Sequence, residues 1–357
     1  MKKHYCKPIK FLISVLVLLI CFSSNIAITC SAKTAKVALP LSAGIEALRG
    51  QFQLDVSEKY NQYELDYAYY SPVGKNDNDK YPVVIYLHGI GHGSYFGSQL
   101  DDSDMAYWAS RELQSKWKDT DGAYILLPRC PEDEAQYWNK SFVEPLHTLI
   151  DSFISKHEKN IDKTRIFIGG SSAGGEMTWD MAIAYPEYFA GIFPLAATGT
   201  RTSDDIAQVK DVAIWLFSSK LDPLVNYYTN VLPTWNNISK LNSNPENCRL
   251  SSFGTVLNPD GTKADSNHRL YATISYDFLT VDGNPYPNVE TTDGTGKIIS
   301  FKNGEGIISW MSEIHSSFSA DDSQNTSELG ALQLIIIRFR NIIMKMANVI
   351  QKLLGFV

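Results

Sequence analysis

The sequence predicts an α/β fold: a mostly parallel central sheet with helices on both faces. Three observations predict it. Short continuous apolar runs recur along the chain, as strands buried on both faces require. Segments of helical periodicity separate these runs. One run, Ile166-Phe167-Ile168, stops at Gly169-Gly170-Ser171-Ser172-Ala173-Gly174-Gly175, and a helix-like segment follows at once.

The elements follow in chain order. Residues 33–50 read as a mobile leader, and residues 63–70 alternate enough for an edge strand. Asn76-Asp77-Asn78-Asp79-Lys80 is a polar turn before a buried strand at 83–87. Residues 103–116 carry a helical pattern. The strand at 123–127 is stopped by Pro128. Residues 141–157 form a helix that puts Phe142, Leu146, Leu149, Ile150 and Phe153 on one face. A strand at 165–169 and a helix from Glu176 to about Ala184 flank the Gly/Ser turn. Runs at 191–195 and 212–217 are further strands, 226–242 reads as helix, and 250–256 as strand. No internal repeat is evident.

The chain has 357 residues, enough for one domain of about 250–290 residues with extensions. Its 44% hydrophobic and 20% charged content is that of a globular protein. Nineteen Tyr, sixteen Phe and seven Trp suit stacking on sugar or phenolic rings, and equally suit a large core. The net charge of −7 hides an asymmetry. Residues 1–32 hold four Lys and no acid, and residues 331–357 hold Arg338, Arg340, Lys345 and Lys352 and no acid. Residues 33–330 therefore carry about −15, which excludes the basic footprint of a nucleic-acid binder.

The ends carry their own signals. Lys2, Lys3, Lys7 and Lys10 precede an apolar core at 11–22, and Cys30-Ser31-Ala32 offers a small-residue cleavage site. Residues 1–32 read as a secretory signal peptide, so the protein is expected to be secreted or associated with the cell envelope. An uncleaved anchor is the alternative, which Ser23-Ser24-Asn25 weakens by interrupting the run. Cys130 and Cys248 remain after cleavage, either as a disulfide or as two separate thiols. Residues 316–330 are a polar linker. Residues 331–357 form a basic amphipathic helix, the pattern of a membrane-surface segment. Packing on this domain or on a partner is its alternative use. The catalytic domain is placed at 51–315.

Gly170-Ser171-Ser172-Ala173-Gly174 is a G-x-S-x-G between strand and helix, the arrangement of a nucleophile elbow. A serine hydroxyl is a weak nucleophile and needs a base and a group that orients the base. In the α/β-hydrolase order the acid and then the histidine follow the serine. Of seven histidines only His268 and His315 do so. His268 lies in a polar loop after the strand at 250–256, where the base should project; His315 sits at the edge of the linker. Asp222 falls just past the strand that ends at Phe217, whereas Asp204, Asp205 and Asp211 precede that strand. A helix N-cap is the other use of an Asp before Pro223. Leu87-His88-Gly89-Ile90-Gly91-His92-Gly93 follows the strand at 83–87. It offers the backbone N–H of Ile90 for an oxyanion, with Ala173 N–H as the second donor. His88 and His92 lack a third ligand, so no metal is expected, nor any organic cofactor. Tyr137 and Trp138, after the strand at 123–127, are candidate substrate contacts together with His88 and Ser171.

Several stretches resemble secreted esterases of the feruloyl esterase and polyhydroxybutyrate-depolymerase type. They are Lys80-Tyr81-Pro82-Val83-Val84-Ile85-Tyr86-Leu87-His88-Gly89, Gly170 to Gly175 with Thr178-Trp179-Asp180 and Tyr185-Pro186, the loop from Trp215 to Val225, and Asn267-His268-Arg269-Leu270-Tyr271. The likeness covers roughly residues 60–315. Ser218-Ser219 stands where that family has His-Gly, Asn267 where it has Gly, and Tyr271 where it has Trp. The resemblance implies an α/β-hydrolase fold and a carboxylic-ester hydrolase acting through an acyl-enzyme. Feruloyl or acetyl esters of plant-wall polysaccharide are the implied substrates. A serine peptidase of the prolyl-oligopeptidase type and a non-catalytic surface-tethered binding protein are the rival readings. The chain is too short for the propeller of the first, and an ordered Ser-Asp-His set argues against the second.

Overall fold

The computed structural model describes residues 41–57, 59–73, 79–100, 105–131, 137–277, 286–301 and 305–316. The segments expected to be a signal peptide (1–32), a polar linker (316–330, apart from residue 316) and an amphipathic helix (331–357) lie outside the described residues. Met1–Ala43 and Gly44–Val357 are separate units. The architecture described is that of the second. The first helix, α1, is Leu41–Arg49. In α1, Ile45 is buried and Arg49 Nε donates to Leu100 O at 2.9 Å, so its second half is docked where a mobile leader was expected.

Ten strands form one sheet. They are β1 (Gln53–Val56), β2 (Asp66–Tyr70), β3 (Tyr81–Leu87), β4 (Tyr124–Pro128), β5 (Ile161–Ser171), β6 (Gly191–Leu195), β7 (Ala213–Ser219), β8 (Arg249–Phe253), β9 (Val289–Asp293) and β10 (Ile298–Ile299). Their order is β1-β2-β4-β3-β5-β6-β7-β8-β9-β10. The six strands from β4 to β8 in that order run parallel, and the outer strands are antiparallel. Every residue of β3, β4, β6 and β7 is buried. That is why the sequence shows unbroken apolar runs there rather than alternation. The chain passes from β3 to β4 on one side, then returns to β5 on the other. By the rule for open α/β sheets, this reversal marks the carboxyl ends of β3 and β5 as the place to look for a site.

The remaining helices are α2 (Arg111–Gln114), α3 (Val143–Lys156), α4 (Ala173–Ala184), α5 (Ser203–Gln208), α6 (Leu232–Leu241), α7 (Tyr271–Ser275) and α8 (Ile307–Glu313). In α3 the buried residues Leu146, Leu149, Ile150 and Phe153 follow the expected stripe. The helix expected at 103–116 is broken: Met105–Ala109 is a 3₁₀ segment, and Ser110 then caps α2, its hydroxyl accepting from Leu113 N at 3.3 Å. The edge strand expected at 63–70 is not at the edge, because β1 covers β2. Trp108, Trp117, Trp179, Trp215 and Trp310 are wholly buried in the core. Each such ring contributes on the order of 4–6 kcal/mol by area, before conformational entropy is set against it. Among the described residues no helix is long and apolar enough to cross a membrane.

Candidate active site

The turn from β5 into α4 is strained at its centre. Ser172 has φ +56° and ψ −115°, a region that side chains rarely enter. The surroundings hold it there. Ser172 N–H donates to Leu195 O at 2.9 Å, and Ser172 O accepts from Glu176 N at 3.0 Å. The flanking glycines are required by close approach. A Cβ on Gly174 would stand 2.1 Å from Leu87 O, and one on Gly170 would stand 2.6 Å from the same oxygen. The sequence therefore lets α4 start directly against the end of β3. The Ser172 hydroxyl does not cap α4 and the residue is half-buried, whereas Ser171 is buried at the end of β5.

Two strands further along, the acid loop leaves β7. Ser219 builds the turn: its hydroxyl donates to Gly254 O at 2.8 Å and accepts from Leu221 N at 3.1 Å. Asp222 follows with its carboxylate fully buried. Asp222 Oδ1 accepts from Leu224 N at 2.8 Å and Val225 N at 3.0 Å, and Oδ2 lies 2.8 Å from His268 Nδ1. Burial pushes this carboxyl up. The His268 contact and the two amides outweigh burial, so its pKa ends below the ordinary value. An ionised Asp222 can only accept, so Nδ1–H of His268 donates and the neutral ring keeps its lone pair on Nε2. That Nε2 is buried and has no hydrogen-bond partner among the described residues.

The loop carrying His268 is anchored by Asn267, whose Oδ1 accepts from Val256 N at 2.9 Å. Tyr271 opens α7, with the Arg269 guanidinium 5.2 Å from its ring centre. The ends of the strands are tied in sequence: Ser172 N to Leu195 O, Ala196 N to Phe217 O, Lys220 N to Phe253 O. Ser172, Asp222 and the origin of the His268 loop thus share one edge of the sheet.

The loop after β3 lies on the Ser172 turn. A Cβ on Gly89 would be 3.4 Å from Ser171 O and 3.7 Å from Ser172 Cβ. Ile90 is exposed in this loop, and Ala173 is the first residue of α4, where backbone N–H groups have no partner within the helix. Sequence reasoning missed a latch beside them. Glu176 accepts from Thr198 Oγ1 at 3.0 Å and from Gly199 N, and pairs with Arg201, whose guanidinium lies over Trp179. It fixes the loop after β6 to α4, and no local motif announces it.

The suggested substrate contacts divide. Tyr137 is exposed after β4. Trp138 is 2% exposed and sits edge-on to Phe142 at 5.6 Å, a packing residue rather than a stacking platform. His88 is also 2% exposed with both ring nitrogens on backbone groups, which takes it away from substrate. Cys130 and Cys248 are separate buried thiols, and burial pushes Cys248 up to about 12. His315 is exposed after α8. Among the described residues no group of His, Cys, Asp and Glu could hold a metal ion.

No family model matches the chain. A poly(3-hydroxybutyrate) depolymerase from Ralstonia pickettii is 26% identical over 171 residues, which are 43% of this chain and 34% of that protein. The chain therefore spans about a third of the length of this curated relative. Among solved structures a thermostable esterase superposes with a TM-score of 0.54 at 23% identity, covering 64% of this chain and 61% of the other. The parallel sheet, the strand order and this superposition agree that the chain has the α/β-hydrolase fold.

Proposed function

We propose that the protein is a serine hydrolase that cleaves carboxylic esters through an acyl-enzyme. The observation that carries the reading is the His268–Asp222 pair with a bare, buried Nε2, at the same sheet edge as the strained Ser172. Ser172 Oγ attacks the ester carbonyl while His268 Nε2 takes its proton. The backbone N–H groups of Ile90 and Ala173 receive the oxyanion. His268 returns the proton to the departing alcohol, leaving an acyl group on Ser172. Water then repeats the sequence and releases the acid. Asp222 holds the ring in one tautomer and stabilises the imidazolium. No metal or organic cofactor enters these steps.

Feruloyl or acetyl esters on plant-wall polysaccharide are the proposed substrates. The loops leaving β3, β4 and β7 each expose apolar side chains, among them Ile90, Phe96, Tyr137 and Leu224. On this reading, apolar side chains in loops at the carboxyl ends of the strands favour an aromatic acyl group over acetyl. A panel of methyl ferulate, acetylated xylan, a hydroxybutyrate oligomer and a peptide tests the reading. Methyl ferulate should turn over fastest; cleavage of the peptide alone would replace the esterase by a peptidase.

Export through residues 1–32 and envelope contact through residues 331–357 complete the proposal, on the charge and hydropathy patterns of those segments. Removing residues 331–357 should abolish binding to anionic liposomes and leave ester turnover unchanged. Equal liposome binding without the tail would refute the membrane role.

A further inference from the structure

The loop leaving β3 must hold an N–H steadily on an oxyanion, yet it has glycine at positions 89, 91 and 93, with Gly91 at φ +93°. Such a chain is not rigid by itself, so its stiffness comes from what grips it. We propose that His88 is a positioning residue for this loop, a neutral imidazole with its proton on Nδ1 that joins the loop to the end of β4. The inference rests on the hydrolase reading above.

Hydrogen-bond chemistry fixes the tautomer. Cys130 N–H can only donate, and it lies 3.0 Å from His88 Nε2, so that nitrogen carries no proton. Nδ1 therefore holds the proton and donates to Gly89 O at 2.7 Å. The backbone of the same residue meets α4, because a Cβ on Gly174 would stand 2.6 Å from His88 O. One residue thus touches the end of β4 with its ring and the start of the nucleophile helix with its carbonyl. Arg129 grips the far end of the loop. Its Nη1 donates to Gly93 O at 2.7 Å, while Nε and Nη2 each stand 2.6 Å from Asp66 Oδ2. Both grips come from adjacent residues at the end of β4.

An oxyanion donor acts only in the transition state, so a loosened loop should lower kcat and spare KM. The test compares two variants with wild type. His88→Gln places Oε1 where Nε2 stands and can still accept from Cys130 N–H. His88→Leu fills similar volume without an acceptor. The leucine variant should lose about 30-fold or more in kcat at unchanged KM, and the glutamine variant should recover most of it. A leucine variant with wild-type kcat, or two equally impaired variants, would overturn the proposal. Ser172→Ala is assayed in parallel: its activity would refute the hydrolase reading itself, whereas its loss beside a fully active His88→Leu would refute only the positioning role. Should His88→Leu fail to fold, ¹⁵N NMR of the wild-type ring decides. A proton on Nδ1 supports the inference, and a proton on Nε2 overturns it.

Discussion

Replacing Ser172 by alanine lowers kcat/KM toward a p-nitrophenyl acyl ester on the order of 10⁵–10⁶-fold while the thermal midpoint stays where it was. The structure explains both halves. The backbone bonds that hold the turn, Ser172 N to Leu195 O and Glu176 N to Ser172 O, do not involve the hydroxyl. Alanine can keep the same strained φ because the surroundings fix it, not the side chain. The adjacent Ser171 cannot substitute, since it is buried at the end of β5. Loss of activity together with a lowered thermal midpoint would point to misfolding and would not support the nucleophile. Unchanged turnover would remove it outright.

Replacing His268 by alanine should be nearly as damaging, because members of such a set act as a unit. Asp222→Asn should cost about 10⁴-fold in kcat by presenting the wrong tautomer to the serine. The depressed pKa of Asp222 gives a further sign. Its ionised form stabilises the fold at pH above the ordinary aspartate value, and that contribution is lost as pH falls through the lower folded value. Asp222→Asn should lack this acid-side loss of stability. His315→Ala is the control, and activity should not change, since the residue is exposed beyond α8. If instead His315→Ala is inactive and His268→Ala is active, the base has been assigned to the wrong loop.

The parallel centre of the sheet was legible because burial on both faces leaves unbroken apolar runs, as at β3, β4, β6 and β7. The outer strands were not. In β9, Val-Glu-Thr-Thr-Asp, only two residues are buried, and β10 is two residues long, so neither leaves a hydrophobic pattern. Met105–Ala109 and α2 looked like one helix because a capped break costs only a serine in the sequence. The G-x-S-x-G turn, chain order and position just past strand ends together singled out Ser172, Asp222 and His268, and the structure brings the last two into contact. What sequence could not show is which side chains near the site face inward. His88 and Trp138 stand beside the right strand ends but are turned into the protein. The residues that depart from the esterase pattern also gain a use only in three dimensions: Ser219 forms the turn before Asp222, and Asn267 ties the His268 loop to Val256.

The central claim is that Ser172 carries the acyl group. The most direct measurement is reaction with a fluorophosphonate followed by peptide mass spectrometry of the labelled protein. The expected result is a single adduct on Ser172, absent in Ser172→Ala and strongly slowed in His268→Ala. An adduct on Ser171 or another residue, or continued ester hydrolysis by a protein that takes no label, would contradict it.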